Sequence, residues 1–133
     1  MILGIGIDTV QIPRIEKILS RDSDLFIKNY FGVDEVAKYA DIATDTKKYA
    51  QKIAKLFSAK EAFVKALGTG FRFGIELHDI QVVADTLGAP QLKLGKSVIS
   101  YLEKTYPNYG DFRYHISLSD DYPIATAFVI IEY

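Results

Sequence analysis

The sequence predicts an α+β fold with a largely antiparallel sheet, one long helix and several short helices. Three observations predict it. Ala50, Ile53, Ala54, Phe57, Glu61 and Val64 recur at the spacing of a single amphipathic helix over 46–67. Phe112, Tyr114, Ile116 and Leu118 alternate with polar residues, and after a turn at Asp120–Pro123 the run ATAFVIIEY follows, which is the pattern of a closing hairpin. Finally, helical and strand segments are segregated instead of alternating as βαβ units.

The elements follow in order along the chain. Residues 2–9 read as a strand with Leu3, Ile5 and Ile7 on one face and Gly4, Gly6 and Asp8 on the other, the glycines clearing space beside the carboxylate. Pro13 suits a first helical turn, and Ile12, Ile15, Ile18 and Leu19 give that helix a stripe up to about Ser20. Two short helices or turns are expected at 22–30 and 34–40, the second carrying Glu35. The long helix ends at Gly68, a left-handed cap, and Gly68, Thr69, Gly70 and Gly74 form a flexible loop around Phe71, Arg72 and Phe73. A strand over 77–84, a turn over 85–90 and a short strand over 91–94 come next, then a helix from Lys96 to about Tyr106 that Pro107 stops. There is no internal repeat, low-complexity tract or linker, so the 133 residues are expected to form a single domain, 1–133.

Composition narrows the function. There is no Cys, which removes disulfides, thiolate metal sites and a cysteine nucleophile. No basic leader precedes MILGIGIDTV and Asp8 interrupts its apolar run, so neither a signal peptide nor a membrane span is expected and a cytoplasmic protein is. Net charge is only −1, yet six lysines (Lys47, Lys48, Lys52, Lys55, Lys60, Lys65) face one acid, Glu61, between 47 and 65. Such a stretch is either a basic patch for an anionic partner or a solvated lysine face. The nine Tyr and eight Phe show no interleaving with basic residues, so nucleic acid is not an expected partner.

Two carboxylates are the chemically informative residues. Glu61 lies one turn after Phe57 and so faces inward with the apolar stripe, where a charge needs a partner. Lys65 on the same face is one candidate, and a divalent cation shared with Asp8 is the other. Asp8 is itself either a ligand-facing residue beside two glycines or a helix cap. Oxygen donors without Cys or paired His suit a hard cation such as magnesium, which completes its shell with water and substrate phosphates. GIGIDT lacks the third glycine of a dinucleotide fingerprint, and the Gly95-Lys96-Ser97 imitation of a phosphate loop would place its first glycine at Pro90. His78 and His115 have no metal-ligand spacing and read as ordinary polar residues.

Three segments, GIGIDTVQIPRI at 4–15, LFSAKEAFVKALGTG at 56–70 and HISLSDDYPIATAFVI at 115–130, resemble the holo-acyl carrier protein synthase family, the short trimeric type of 4'-phosphopantetheinyl transferase. The KEAxxKAxGTG string is the specific part, and GAPQLKL at 88–94 is similar to the family's Gly-x-Pro turn and strand. The resemblance implies the 4'-phosphopantetheinyl transferase fold and transfer of 4'-phosphopantetheine from coenzyme A to a serine of apo-acyl carrier protein, in support of fatty acid biosynthesis. It implies magnesium on Asp8 and Glu61, catalysis by Asp8, Glu61 and Lys65, and coenzyme contacts from Lys65, Gly68, Thr69, Gly70 and Pro90, with backbone N–H groups of the glycine loop lining the nucleotide. Glu35 is an auxiliary ligand or a surface acid, Arg14 and Arg21 dock the acidic carrier, and a homotrimer is implied.

Two departures stand out. Asp120 replaces a family histidine, and Leu56 stands where some members carry an arginine, with Lys55 beside it but about 100° away around a helix. The rival readings are a transferase for a polyketide or peptide synthase carrier domain, a noncatalytic module of the same fold that binds coenzyme A or another nucleotide and draws its support from Asp120, and a structural oligomer with no ligand, which would leave Glu61 and Asp8 unexplained.

Overall fold

A computed structural model describes residues 1–133. Strands β1 (Ile2–Gln11), β4 (Arg113–Asp121) and β5 (Ile124–Glu132) form an antiparallel sheet in the order β1-β5-β4, while β2 (Ile80–Ala84) and β3 (Pro90–Leu94) pair as a separate antiparallel ribbon. The helices are α1 (Ile12–Tyr30), α2 (Val33–Val36), α3 (Thr46–Leu67) and α4 (Lys96–Thr105), with 3₁₀ turns at Ala37–Ile42 and Leu77–Asp79.

Helix α3 lies across the three-stranded sheet, and small residues on both sides let it come close. A Cβ on Gly4 would stand 1.8 Å from the Ala66 carbonyl oxygen, and one on Gly6 1.8 Å from that of Ala62. Val10, Ala125, Ala127, Val129 and Ile131 complete the inner face of the sheet, and all are buried. The space that the glycines open is thus filled by α3 and is not a ligand cleft, which corrects the reading of Gly4 and Gly6. Ile5 and Ile7 point the other way and remain 55% and 58% exposed, beside Phe128 at 38%. Register pairs Ile7 with Phe128 and Asp8 with Ala127.

Most boundaries agree with the periodicity. The long helix ends at Gly68 with φ 73°, and Asp45 accepts the Lys48 N–H at its start. The first two expected helical segments join into α1 around a kink at Asp22 (φ −137°, ψ 48°). The expected 34–40 helix is only the four residues of α2 followed by a 3₁₀ turn, and the 77–84 strand begins at Ile80 because Leu77–Asp79 coils first. That coil places Asp79 to accept the Ser97 N–H at the start of α4.

Lys60 is the surprise inside α3. It is fully buried, donating to Glu35 Oε1 and to the carbonyls of Leu77 and Ile80, so it does not belong to the basic patch. Glu35 is equally buried and also accepts the N–H groups of Gly32 and Val82. This pair ties α2 and the start of β2 to the middle of α3.

Candidate functional site: two carboxylates and a lysine between β1 and α3

Because α3 crosses β1 at backbone distance, the last turns of the helix set Glu61 and Lys65 over Asp8. Lys65 Nζ donates to Asp8 Oδ1 at 2.8 Å and to the Ile7 carbonyl at 3.2 Å. The lysine therefore pairs with Asp8, and Glu61 is left without an ion-pair partner. Burial raises the Glu61 pKa first and the Asp8 charge raises it further, while Lys65 and Arg14 pull it down. Glu61 is half-buried at the edge of the core, not inside it as the stripe suggests. Asp8 is far from capping α1, whose first N–H, on Ile12, goes to the Pro123 carbonyl.

A carboxylate that lies near Asp8 and has no ion-pair partner of its own fits a hard cation. No group of three or more His, Cys, Asp or Glu side chains converges anywhere, so a cation here would draw most of its shell from water and substrate, as magnesium does. Glu35 cannot contribute, because both its oxygens are engaged with Lys60, Gly32 and Val82.

The loop after α3 corrects one expectation. The N–H of Gly68 donates to the Lys65 carbonyl and that of Thr69 to the Val64 carbonyl, both as helix caps. Of the three N–H groups offered for a nucleotide, only that of Gly70 is left out of the cap. Thr69 is buried and its hydroxyl bonds the Gly70 carbonyl, so it shapes the loop from beneath. Pro90 opens β3, opposite Ala84, on a different sheet from Asp8.

A family model described as the 4'-phosphopantetheinyl transferase superfamily matches residues 4–127. The chain belongs to that superfamily. It is 47% identical to the holo-[acyl-carrier-protein] synthase of Zymomonas mobilis over 99% of this chain and 97% of that protein, and 43% identical to that of Bartonella bacilliformis over 99% and 96%. The solved holo-[acyl-carrier-protein] synthase of Neisseria meningitidis superposes with a TM-score of 0.83 at 32% identity, each chain covered completely. A synthase from Bacillus anthracis, solved in complex with CoA (3',5'-ADP), does so at 0.72 and 30% identity, covering 98% of this chain and 96% of that one.

In this transferase the departure at Asp120 has a counterpart. Lys55 Nζ lies 2.7 Å from Asp120 Oδ1, with the side chains 21% and 27% exposed. The acid is neutralised by a lysine 65 positions away, so it presents no bare negative charge. Sequence reading missed this pair, since nothing in the local pattern of either residue signals it. His78 and His115 bond Glu76 and Glu132, each at 2.9 Å.

Arg14 and Arg21 are both exposed on α1. Arg14 also forms part of the edge of a groove of about 1190 Å³, which runs between α1 and the start of α3 and includes Lys17, Lys28 and Tyr49. That groove lies beside the carboxylates and not at them; none of Asp8, Glu61 and Lys65 lines it. No helix is long and apolar enough to cross a membrane.

Proposed function

We propose that Asp8, Glu61 and Lys65 carry the transfer of 4'-phosphopantetheine from coenzyme A to a serine of apo-acyl carrier protein. The transfer itself rests on the superfamily to which the chain belongs and on relatives matched over nearly their whole length. The residue roles rest on one observation: β1 and α3 bring two carboxylates and an ammonium together, and Glu61 has no partner of its own.

Asp8 and Glu61 would hold magnesium, which supplies neutralisation of the coenzyme's diphosphate charge. Lys65, exposed and paired with Asp8, donates to the departing phosphate. Glu61, whose proton affinity burial raises, accepts the proton of the carrier serine. The serine oxygen bonds to the pantetheine-side phosphorus as the bond to adenosine 3',5'-bisphosphate breaks. Positioning and charge dominate such transfers. Lys65, the Gly68-Thr69-Gly70 loop and Pro90 contact the coenzyme, with the Gly70 N–H as the loop's donor. Arg14 and Arg21 steer the acidic carrier.

The outer face of the sheet supports self-association as a homotrimer, since Ile5, Ile7 and Phe128 form an exposed apolar patch. A second subunit would bring further residues to the coenzyme, whose cleft a single short chain does not enclose. We assign the protein to the cytoplasm and to fatty acid biosynthesis. The noncatalytic reading loses its ground, because the Asp120 charge is already matched by Lys55.

The test is mass spectrometry of apo-acyl carrier protein incubated with the protein, coenzyme A and magnesium. Addition of one phosphopantetheine, lost with a chelator and in Asp8→Ala and Glu61→Ala, is the expected result. Unmodified carrier in the presence of folded, untreated protein would refute it.

A further inference from the structure

The tip of the β4–β5 hairpin is fastened at two points to two different helices. Asp120, the penultimate residue of β4, pairs with Lys55 on α3 at 2.7 Å. Three residues on, the carbonyl of Pro123 accepts the N–H of Ile12 at 2.8 Å, the first residue of α1. This second bond matters because α1 begins without a side-chain cap: Gln11, the residue before it, makes none, and Pro13 has no N–H to offer. Arg14 follows two residues after Ile12. The first turn of α1 is therefore held from outside by the hairpin tip, and the tip is held to α3 by Lys55 and Asp120.

We propose that the Lys55–Asp120 ion pair is a positioning device for the carrier-docking end of α1, acting through Pro123 and Ile12. This rests on the transferase reading for its kinetic consequence, but not for its structural one. The geometry separates the pair from the reacting groups. Asp120 stands opposite Ala125, which is also opposite Val10, two residues along β1 from Asp8. Lys65, the lysine that reaches Asp8, is ten positions further along α3 than Lys55. Loss of the pair should let the tip swing, loosen the Pro123 to Ile12 bond and blur the position of Arg14, while leaving Asp8, Glu61 and Lys65 in place.

The experiment uses the full chain with Asp120→Asn, Lys55→Met and the exchange Lys55→Asp/Asp120→Lys, with Asp121→Asn as the neighbouring control. Two quantities are read: KM for carrier protein against KM for coenzyme A, and the hydrogen-exchange rate of the Ile12 amide. Each single variant should raise the carrier KM about two- to fivefold, the scale of a partly exposed ion pair. Coenzyme KM and kcat should stay put and Ile12 exchange should quicken. The exchanged pair should restore both readings, and Asp121→Asn should move neither. A rise in coenzyme KM instead would assign the pair to the coenzyme's pocket and overturn the proposal. So would an unchanged Ile12 exchange rate, or an exchanged pair that folds but restores nothing. The amide reading needs no turnover, so it decides the proposal even if the transferase assay fails.

Discussion

Lys60 and Glu35 are bonded to each other with neither side chain reaching water. Burial lowers the lysine's pKa and raises the glutamate's, and their mutual attraction works against both shifts. The ammonium has three hydrogens and three acceptors, so the network has nothing to spare. Removing one partner strands a buried charge. Lys60→Met should cost about 3–5 kcal/mol in urea unfolding, and adding Glu35→Leu should recover part of that loss. Equal or additive penalties would mean that the pair is not coupled.

The Glu61 carboxyl gives a pH prediction with a definite sign. Its pKa in the folded protein lies above the ordinary carboxylate value of 4.5, through burial and then through Asp8. The folded state thus holds the proton more tightly than the unfolded one, and this residue's contribution to stability falls as pH rises from that ordinary value through the folded pKa. Glu61→Gln should remove that fall. Carbon-detected NMR titration of Asp8→Asn should show the Glu61 pKa moving down, since one of the charges raising it is gone. An upward movement would refute the assignment.

The crossing of α3 over β1 makes a steric prediction. Gly6→Ala would put a methyl 1.8 Å from the Ala62 carbonyl oxygen and 2.7 Å from the Ala66 nitrogen, both rigid backbone atoms. The helix must move off the strand. A stability loss of about 1–3 kcal/mol is expected in thermal or urea unfolding, together with a fall in kcat as Glu61 leaves Asp8. Gly110→Ala, which meets nothing within 4 Å, is the control and should change neither.

The outer sheet face predicts an assembly effect. Ile7 and Phe128 are cross-strand neighbours and both are exposed in the isolated chain. If the proposed homotrimer uses this face, Ile7→Glu should shift sedimentation velocity from trimer toward monomer without loss of helical circular dichroism. A trimer that survives this change would place the interface elsewhere.

The parts of the molecule that were legible from sequence are those set by local rules. Helix α3 has its stripe and its Gly68 stop within one continuous segment, and the β4–β5 hairpin declares itself by alternation. Asp8, Glu61 and Lys65 were singled out from residue type and position, and the structure brings them together. What stayed hidden depends on distant partners. Lys60 looks like any other lysine of the basic run until Glu35, 25 positions earlier, is packed against it. Asp120 looks like a stray acid until Lys55 arrives. Gly4 and Gly6 mislead for a related reason: missing side chains invite either a ligand or a neighbour, and only the packing decides which. The same choice leaves Ile5 and Ile7 facing outward, against the habit of placing apolar residues in the core.

Helix α3 delivers Glu61 and Lys65 from its C-terminal half, with Lys65 in its last turn. That end of a helix carries the negative pole of the peptide dipoles, and here two of the next N–H groups are spent on capping it. The site is therefore the opposite of a phosphate cradle built on a helix N-terminus. A diphosphate meets an unfavourable field there until positive charge is supplied. If Asp8 and Glu61 hold the proposed magnesium, cation and anion must strengthen each other's binding, and an affinity measured for either has meaning only at a stated concentration of the other.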